Sequence, residues 1–382
     1  MRTGNVCARE GDPDREACRM ARERVNEIDL MRFIAAMMVV FFHYAFRGYA
    51  GGDRIDMPYP LLAPVAKYGY LGVELFFMIS GFVILMTAAS GSLRRFAVSR
   101  FVRLYPAFWT CCTITFLAIL VMGGEVFSAT LPQYLVNMTM LSGFVGVPSI
   151  DGVYWSLFVE LKFYVMVAVL LAIGQIHHAQ RWLVAWLLLS VAVEASGIER
   201  LRSMFITNYA AYFIAGATCY LVWLRGASKA RVALLLACWA VATWQAVGGL
   251  AWFPRQFKQD INPLIVGAII TVFFVVMWLV AVRRTGVVGR RTWITVGALT
   301  YPLYLLHQNI GYMIFNAGYP ALNPHLLMWG TIALMLALSW AVHAWVEHPL
   351  SSPLKRLANQ AIDALARHTP SGLRLGRSSP AD

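Results

Sequence analysis

Long apolar runs follow one another along most of the chain and are separated by short polar connections. About 20 consecutive apolar residues cross the hydrocarbon core of a bilayer as one helix. Ten runs can be distinguished, at 28–47, 67–88, 105–123, 153–174, 181–196, 205–224, 230–249, 262–282, 293–316 and 323–345. The fifth run is short for a crossing. The pattern predicts an all-α polytopic membrane protein, a bundle of about ten transmembrane helices.

The composition agrees with this prediction. Of the 382 residues, 59% are hydrophobic and only 13% are charged, and the mean hydropathy is +0.61. Soluble domains carry about 25% charged residues, so this surface is predicted to face lipid. Residues 26–349 form the predicted membrane domain, and 1–25 and 350–382 are predicted to be disordered cytoplasmic tails. The six cysteines show neither CxxC nor zinc-ligand spacing, so we predict no metal site and no disulfide framework.

The placement of the basic residues predicts the orientation, because Lys and Arg concentrate in cytoplasmic loops. Of the 32 Lys and Arg, 23 lie on the side of the N-terminus and seven on the other side, while Arg32 and Lys162 lie within spans. This predicts a multi-pass protein of the inner (cytoplasmic) membrane with both termini inside. The net charge of +13 is then mostly a topology signal, which argues against a nucleic-acid partner.

The first span carries three polar side chains that hydrocarbon would not accept. A helix turns about 100° per residue, so Arg32 and His43 point the same way within about 20°, and Asp29 lies about 40° from His43. About 16 Å of helix rise separates the arginine from the histidine. Each charge would cost several kcal/mol in hydrocarbon. We therefore predict that this face lines a polar tunnel whose walls are the other helices.

Three later spans carry further polar side chains. The second span contains Glu74 and Ser80 in the middle of the membrane, and packing alone explains Ser80 as well as a functional site does. In the fourth and ninth spans the polar residues recur at helical spacing, so that each set shares one face. The two sets are Ser156, Glu160 and Tyr164, and Thr300, Tyr304 and His307. A structural pairing of Glu160 is as consistent with the sequence as a catalytic one.

A basic segment precedes the third span, with Arg95, Arg100 and Arg103 followed by Pro106. Basic residues next to a span commonly mark topology or contact lipid headgroups. Alternatively, they hold the phosphates of a nucleotide-bearing donor, since the guanidinium group matches phosphate geometry. The segment by itself leaves both interpretations open.

These segments, in this order, resemble the integral-membrane acyltransferase-3 family over residues 27–349. Arg32 and His43, with ten residues between them, match the arginine–histidine signature of the family's first helix. Residues 72–82 resemble its second-helix motif, in which aspartate is more common than Glu74. The other similar blocks are Arg95, Arg100, Arg103 and Pro106; residues 155–160 with Tyr164; residues 301–307; and residues 347–349.

The resemblance implies an enzyme that transfers an acyl group, with acetyl expected, from acyl-CoA to a hydroxyl of a lipopolysaccharide, exopolysaccharide or similar glycan. It implies no permanently bound cofactor. His43 is the expected base or transient acyl carrier, with Glu74 or Glu160 as the group that orients it. The expected donor-binding residues are Arg32, Arg95, Arg100 and Arg103. The residues expected to line the substrate route are Asp29, Ser80, Ser156, Tyr164, Tyr304 and His307.

Two other classes of protein fit part of the pattern. Buried Asp, Arg, Glu and His also mark ion and proton pathways, so a transporter or channel is the main alternative. Transporters commonly show repeat symmetry between their halves, and no internal repeat is visible in this chain. A catalytically inactive assembly partner is the third possibility, although the chain keeps both Arg32 and His43. The oligomeric state is not indicated by the sequence.

Overall fold

A computed structural model describes residues 25–52 and 54–368, and all regular elements in these ranges are helices. Ten long helices occupy the ten predicted spans. They are α1 Asn26–Phe42, α2 Gly72–Ala88, α3 Leu93–Met122, α4 Trp155–Ala172, α5 Ala179–Ser196, α6 Thr207–Arg225, α7 Lys229–Gly248, α8 Pro263–Ala281, α9 Ile294–Gly318 and α10 Pro324–Val342. An eleventh helix, α11 His348–His368, follows α10.

Eight helical segments within the described ranges are long and apolar enough to cross a membrane, and they contain all of the ten helices except α5 and α9. α5 is short and begins with a polar turn, as its sequence indicated. α9 carries the polar side chains of the predicted site, which lower its hydropathy. The prediction of an all-α polytopic membrane protein is confirmed.

Glycines determine how closely the central helices approach. A Cβ atom at Gly81 of α2 or at Gly216 of α6 would overlap a backbone carbonyl group of the other helix. A Cβ atom at Gly69 or Gly72 would likewise overlap a carbonyl group of α1. Small residues permit such close approach of helices in membranes.

Two helices that carry site residues contain a π-helical turn, which widens the helix locally. α1 continues into the π-helical segment His43–Arg47 and then into Gly48–Ala50. α10 continues into the π-helical segment His343–Glu347, which leads directly into α11. π-Helical turns occur frequently at functional sites.

The prediction of a disordered tail from residue 350 is wrong as far as His368. α11 is a helix that packs against α3, and Arg94 of α3 forms an ion pair with Asp363 at 2.6 Å. Leu354, Ala358 and Ile362 recur at helical spacing, a periodicity that the polar composition of the segment obscured. Residues 1–24 and 369–382, which include the rest of the two predicted tails, lie outside the described residues.

We expect Gly216→Ala to destabilise the protein, because the new Cβ atom would meet the backbone of α2 rather than a movable side chain. Overpacking of this kind costs about 1–3 kcal/mol, so the melting temperature in detergent should fall by several degrees. Gly330→Ala is the matched control, since a Cβ atom at that position would meet no other atom within 4 Å. Equal melting temperatures for the two variants would contradict the close packing of α2 and α6.

Candidate active site

A cavity of about 740 Å³, measured to include its open mouth, lies between α1, α2, α3, α4 and α9. Its lining contains eight of the thirteen site residues expected from the sequence. These eight are Arg32, Ser80, Arg100, Arg103, Ser156, Glu160, Tyr164 and Tyr304. Because they come from all five helices and from distant parts of the chain, their convergence depends on the fold.

Arginines dominate the charge of this cavity. Arg32, Arg100 and Arg103 all line it, and among the described residues Glu160 is the one carboxylate in its lining. The Ser80 hydroxyl donates a hydrogen bond to Glu160, so this carboxylate is held in place on the wall. Three guanidinium groups facing one carboxylate leave a net positive cavity. Such a cavity favours a ligand that carries phosphate groups.

Aromatic rings and a second carboxylate hold two of these arginines. The guanidinium group of Arg100 lies 6.0 Å from the ring centroid of Tyr164, and that of Arg103 lies 5.9 Å from the ring centroid of Tyr301. Arg103 also lies 3.8 Å from Glu347 in the π-helical turn after α10. Glu347 therefore pairs with an arginine of the cavity.

His43 does not line the cavity but contacts a second buried histidine, His307 of α9. Nδ1 of His43 and Nε2 of His307 are 3.1 Å apart. The Tyr44 hydroxyl donates to the backbone carbonyl of His307 at 2.6 Å and holds α9 against α1. The two intramembrane histidines that the sequence placed 264 residues apart are therefore hydrogen-bonded partners.

The neighbouring carbonyl groups fix the tautomers of the two neutral rings. Nδ1 of His307 lies 2.8 Å from the carbonyl oxygen of Tyr304, so it carries the hydrogen and leaves a lone pair on Nε2. Nδ1 of His43 lies 2.8 Å from the carbonyl oxygen of Val39 and also faces the lone pair of His307, so it too carries a hydrogen. Nε2 of His43 is then unprotonated and available as a base.

One prediction about His43 needs correction. His307 contacts His43, whereas no contact among the described residues joins His43 to Glu74 or Glu160, the carboxylates expected to orient it. The lining of the cavity contains Arg32 but not His43, so a tunnel that joins the two stays a prediction. The Ser156 and Tyr304 hydroxyls are hydrogen-bonded to each other at 2.7 Å, and both residues line the cavity. His307, the partner of His43, lies one helical turn after Tyr304.

Three more expected site residues lie outside the cavity lining. Asp29 is buried one turn before Arg32 and packs where Gly297 of α9 lacks a side chain. Glu74 lies in the first turn of α2, and one of its carboxylate oxygens is buried without a hydrogen-bond partner among the described residues. Arg95 is exposed on the surface of α3. The structure thus separates Arg95 from Arg100 and Arg103.

Sequence reasoning missed the residues that hold the outer side of the histidine pair. Asp151 is completely buried, and its carboxylate accepts hydrogen bonds from the backbone N–H groups of Val153 and Asn309. The Asn309 side chain donates to the carbonyl of Ile150 at 2.9 Å. An Asp directly before a helical segment is a common N-cap signal, and this signal was available at Asp151.

The comparison with known proteins decides the class of this site. Residues 25–344 match the sequence model of the acyltransferase domain that defines the acyltransferase-3 family. The chain belongs to this family. The acyltransferase is also 30% identical over 369 residues to Nodulation protein 10 of Rhizobium leguminosarum bv. viciae, an alignment that covers 85% of this chain and 92% of the relative. No solved structure matches it significantly.

Family membership makes the acyltransferase a multi-pass membrane enzyme and sets the transporter alternative aside. The residues that carried the resemblance fall into two groups in space. Arg32, Arg100, Arg103 and Glu160 share the cavity, and His43 and His307 form the adjoining pair. A hydroxyl nucleophile needs a base near neutral pH, and histidine is the side chain suited to that task.

We expect His307→Ala to lower the activity of the acyltransferase about 10–100-fold, because His43 loses the acceptor that fixes its tautomer. His307→Gln should retain more activity, since its amide oxygen is able to accept the same hydrogen bond. The measurement is acyl-transfer activity of isolated membranes across pH 5–9. A purely structural role would give equal losses in both variants and an unchanged pH profile.

Proposed function

We propose that this acyltransferase moves an acetyl group from acetyl-CoA on the cytoplasmic side to a hydroxyl of a surface or secreted carbohydrate, such as an O-antigen or an exopolysaccharide. The observation that carries the proposal is the net positive cavity beside a hydrogen-bonded histidine pair. The cavity suits the phosphate-bearing end of a CoA thioester, and the histidine suits the deprotonation of an alcohol.

In this proposal, Arg100 and Arg103 hold the phosphates of the donor, and Arg32 contacts the arm that enters the cavity. All three line the same space, which accounts for their convergence from α1 and α3. The basic residues flanking the spans favour a cytoplasmic location for this end of the protein. Arg95, also expected to contact the donor, is exposed away from the cavity, so we assign it a weaker role at most.

The histidine pair supports a direct transfer. Nε2 of His43 takes the proton of the acceptor hydroxyl as the oxygen attacks the thioester carbonyl carbon. The carbon–sulfur bond then breaks, and the proton passes to the thiolate of CoA, so that an ester and a free thiol are formed. The Nδ1–H of His43 donates to His307, which stabilises the positive charge that develops on the first ring.

A two-step route uses the same atoms. Nε2 of His43 attacks the thioester carbonyl carbon, the carbon–sulfur bond breaks, and CoA leaves as the thiolate while the ring carries the acyl group. The acceptor oxygen then attacks the same carbon, the carbon–nitrogen bond breaks, and the hydroxyl proton passes to the CoA thiolate. In either route the thioester oxygen gains negative charge, and hydroxyl donors stabilise such an oxygen. Tyr304 precedes His307 by one turn of α9, its hydroxyl is hydrogen-bonded to that of Ser156 on α4, and Ser80 lies on the wall of the same cavity.

Replacement of His43 tests the chemical step. We expect His43→Ala to reduce the acetyl content of the envelope glycan about 10²–10⁴-fold, the range typical of a lost general base. Mass spectrometry of the glycan is the measurement, with membrane levels of the protein determined in parallel. His177→Ala removes an exposed histidine and should leave acetylation unchanged. Unchanged acetylation in His43→Ala would remove this residue from the mechanism.

Replacement of both Arg100 and Arg103 by Ala tests the donor site. A hydrogen bond to a charged group contributes about 1.5–3 kcal/mol, so binding of acetyl-CoA should weaken at least about tenfold. Equilibrium binding of labelled acetyl-CoA to the purified protein is the measurement. Arg95→Ala removes the same charge from the exposed face of α3 and should have a much smaller effect. An equal loss in Arg95→Ala would move the donor site to the membrane surface.

A further inference from the structure

The connection between α3 and α4 does not run over the surface at the end of α3 but folds back along that helix. It contains the short helix Leu131–Asn137, whose Tyr134 stacks on Phe116 of α3 with 4.5 Å between ring centroids. Farther along, the Trp109 ring N–H donates to the carbonyl of Met138 at 2.9 Å. The connection therefore runs back along α3, toward the beginning of that helix.

The depth of this excursion follows from the helix rise. α3 ends at Met122, and Trp109 lies about 20 Å before that end at about 1.5 Å per residue. The Tyr105 hydroxyl, one turn deeper still, donates to the carbonyl of Thr139 at 3.0 Å. The hydrocarbon core is about 30 Å thick, so the connection descends through most of it before α4 begins. We call residues 123–151 the re-entrant segment.

Irregular backbone at this depth must be buried in protein or must line a water-filled cavity. Part of the re-entrant segment is satisfied by Asn137, whose side chain donates to the carbonyls of Gln133 and Pro148 and accepts from the N–H group of Ile150. The other side of the segment borders a second cavity of about 480 Å³, which includes its open mouth. The segment is thus both packed and open to a cavity.

The lining of the second cavity combines aromatic rings with hydroxyl groups. Tyr154, Trp155 and Phe158 of the first turns of α4 line it together with Ser142 and Ser149 of the re-entrant segment. The side chain of Trp155 is 41% exposed, although its ring also contacts the ring of a neighbouring tyrosine on α6 at 5.6 Å. An aromatic face that is fixed and accessible, with hydroxyl groups beside it, is suited to bind a ligand ring that has an apolar face and polar groups at its edge.

The second cavity adjoins the cavity that the arginines line. Leu157 lines both cavities, so they are separated by about one side chain. The end of the re-entrant segment at Ile150 and Asp151 is hydrogen-bonded to Asn309, two residues after His307. The second cavity therefore lies at the level of the histidine pair.

We propose that the re-entrant segment forms an outward-open, water-filled vestibule in which the acceptor sugar stacks on Trp155. A polar acceptor does not cross hydrocarbon at an acceptable free energy, so a base buried this deeply needs such an approach. The vestibule rests on the geometry alone, whereas the assignment of a sugar to it rests on the proposed function.

Thiol accessibility tests the vestibule. We expect Ser149→Cys and Gly143→Cys, both exposed in the lining, to react with a membrane-impermeant methanethiosulfonate added outside intact spheroplasts. Leu188→Cys on α5 is the control, because its exposed side chain lies in a predicted span and is expected to face lipid, where the reagent is absent. Wild-type protein gives the background. Failure of both cysteines to react, or reaction only in inside-out vesicles, would overturn the vestibule.

The role of Trp155 is tested in the same cells. We expect Trp155→Ala to lower glycan acetylation about tenfold and Trp155→Phe to restore most of it, while binding of acetyl-CoA stays within about twofold of wild type. Unchanged acetylation, or an equal loss of acetyl-CoA binding, would overturn the acceptor role. If wild-type cells carry no acetylated glycan, the proposed function fails together with the role of Trp155. The thiol result then still decides whether the vestibule exists.

Discussion

Polar groups inside a membrane must be paired with one another or with the backbone, and this constraint shapes the acyltransferase. The two histidines meet it with one another and with the backbone, since Nδ1 of His43 faces His307 and the Val39 carbonyl, and Nδ1 of His307 faces the Tyr304 carbonyl. Nε2 of His43 is left with a lone pair. Under the proposed function, the pairing that makes the histidines tolerable in hydrocarbon also prepares His43 for proton transfer.

Local departures from regular helix occur where these pairings are made. The π-helical turn of α1 begins at His43, and that of α10 contains both His343 and Glu347, which are 2.8 Å apart and extend the contact to Arg103. Helix α4 begins only after the re-entrant segment has delivered Asp151 to α9. Each irregularity coincides with a polar group that contacts a partner on another helix.

The sequence predicted the class of fold well, because a hydrophobic run of sufficient length has few alternatives to a membrane helix. It also identified most of the cavity, since a charged residue such as Arg32 or Glu160 within an apolar run needs a polar surrounding. The sequence did not predict which polar residues of different helices contact each other. Helical periodicity says which residues of one helix share a face, but the meeting of His43 and His307 depends on how α1 packs against α9. Asp151 was missed because it lies in a connection, where apolar periodicity carries no information.

The arrangement of the two cavities bears on a problem that every acyl transfer from a thioester faces, which is hydrolysis of the donor by water. Ser156 and Tyr304, which are hydrogen-bonded to each other, line the cavity that contains the arginines. Leu157 separates that cavity from the second one. Under the proposed function, this thin wall keeps the water of the vestibule away from the thioester until an acceptor hydroxyl has replaced that water. The same wall brings donor and acceptor within one side chain of each other, so exclusion of water and proximity of the reactants follow from one structural feature.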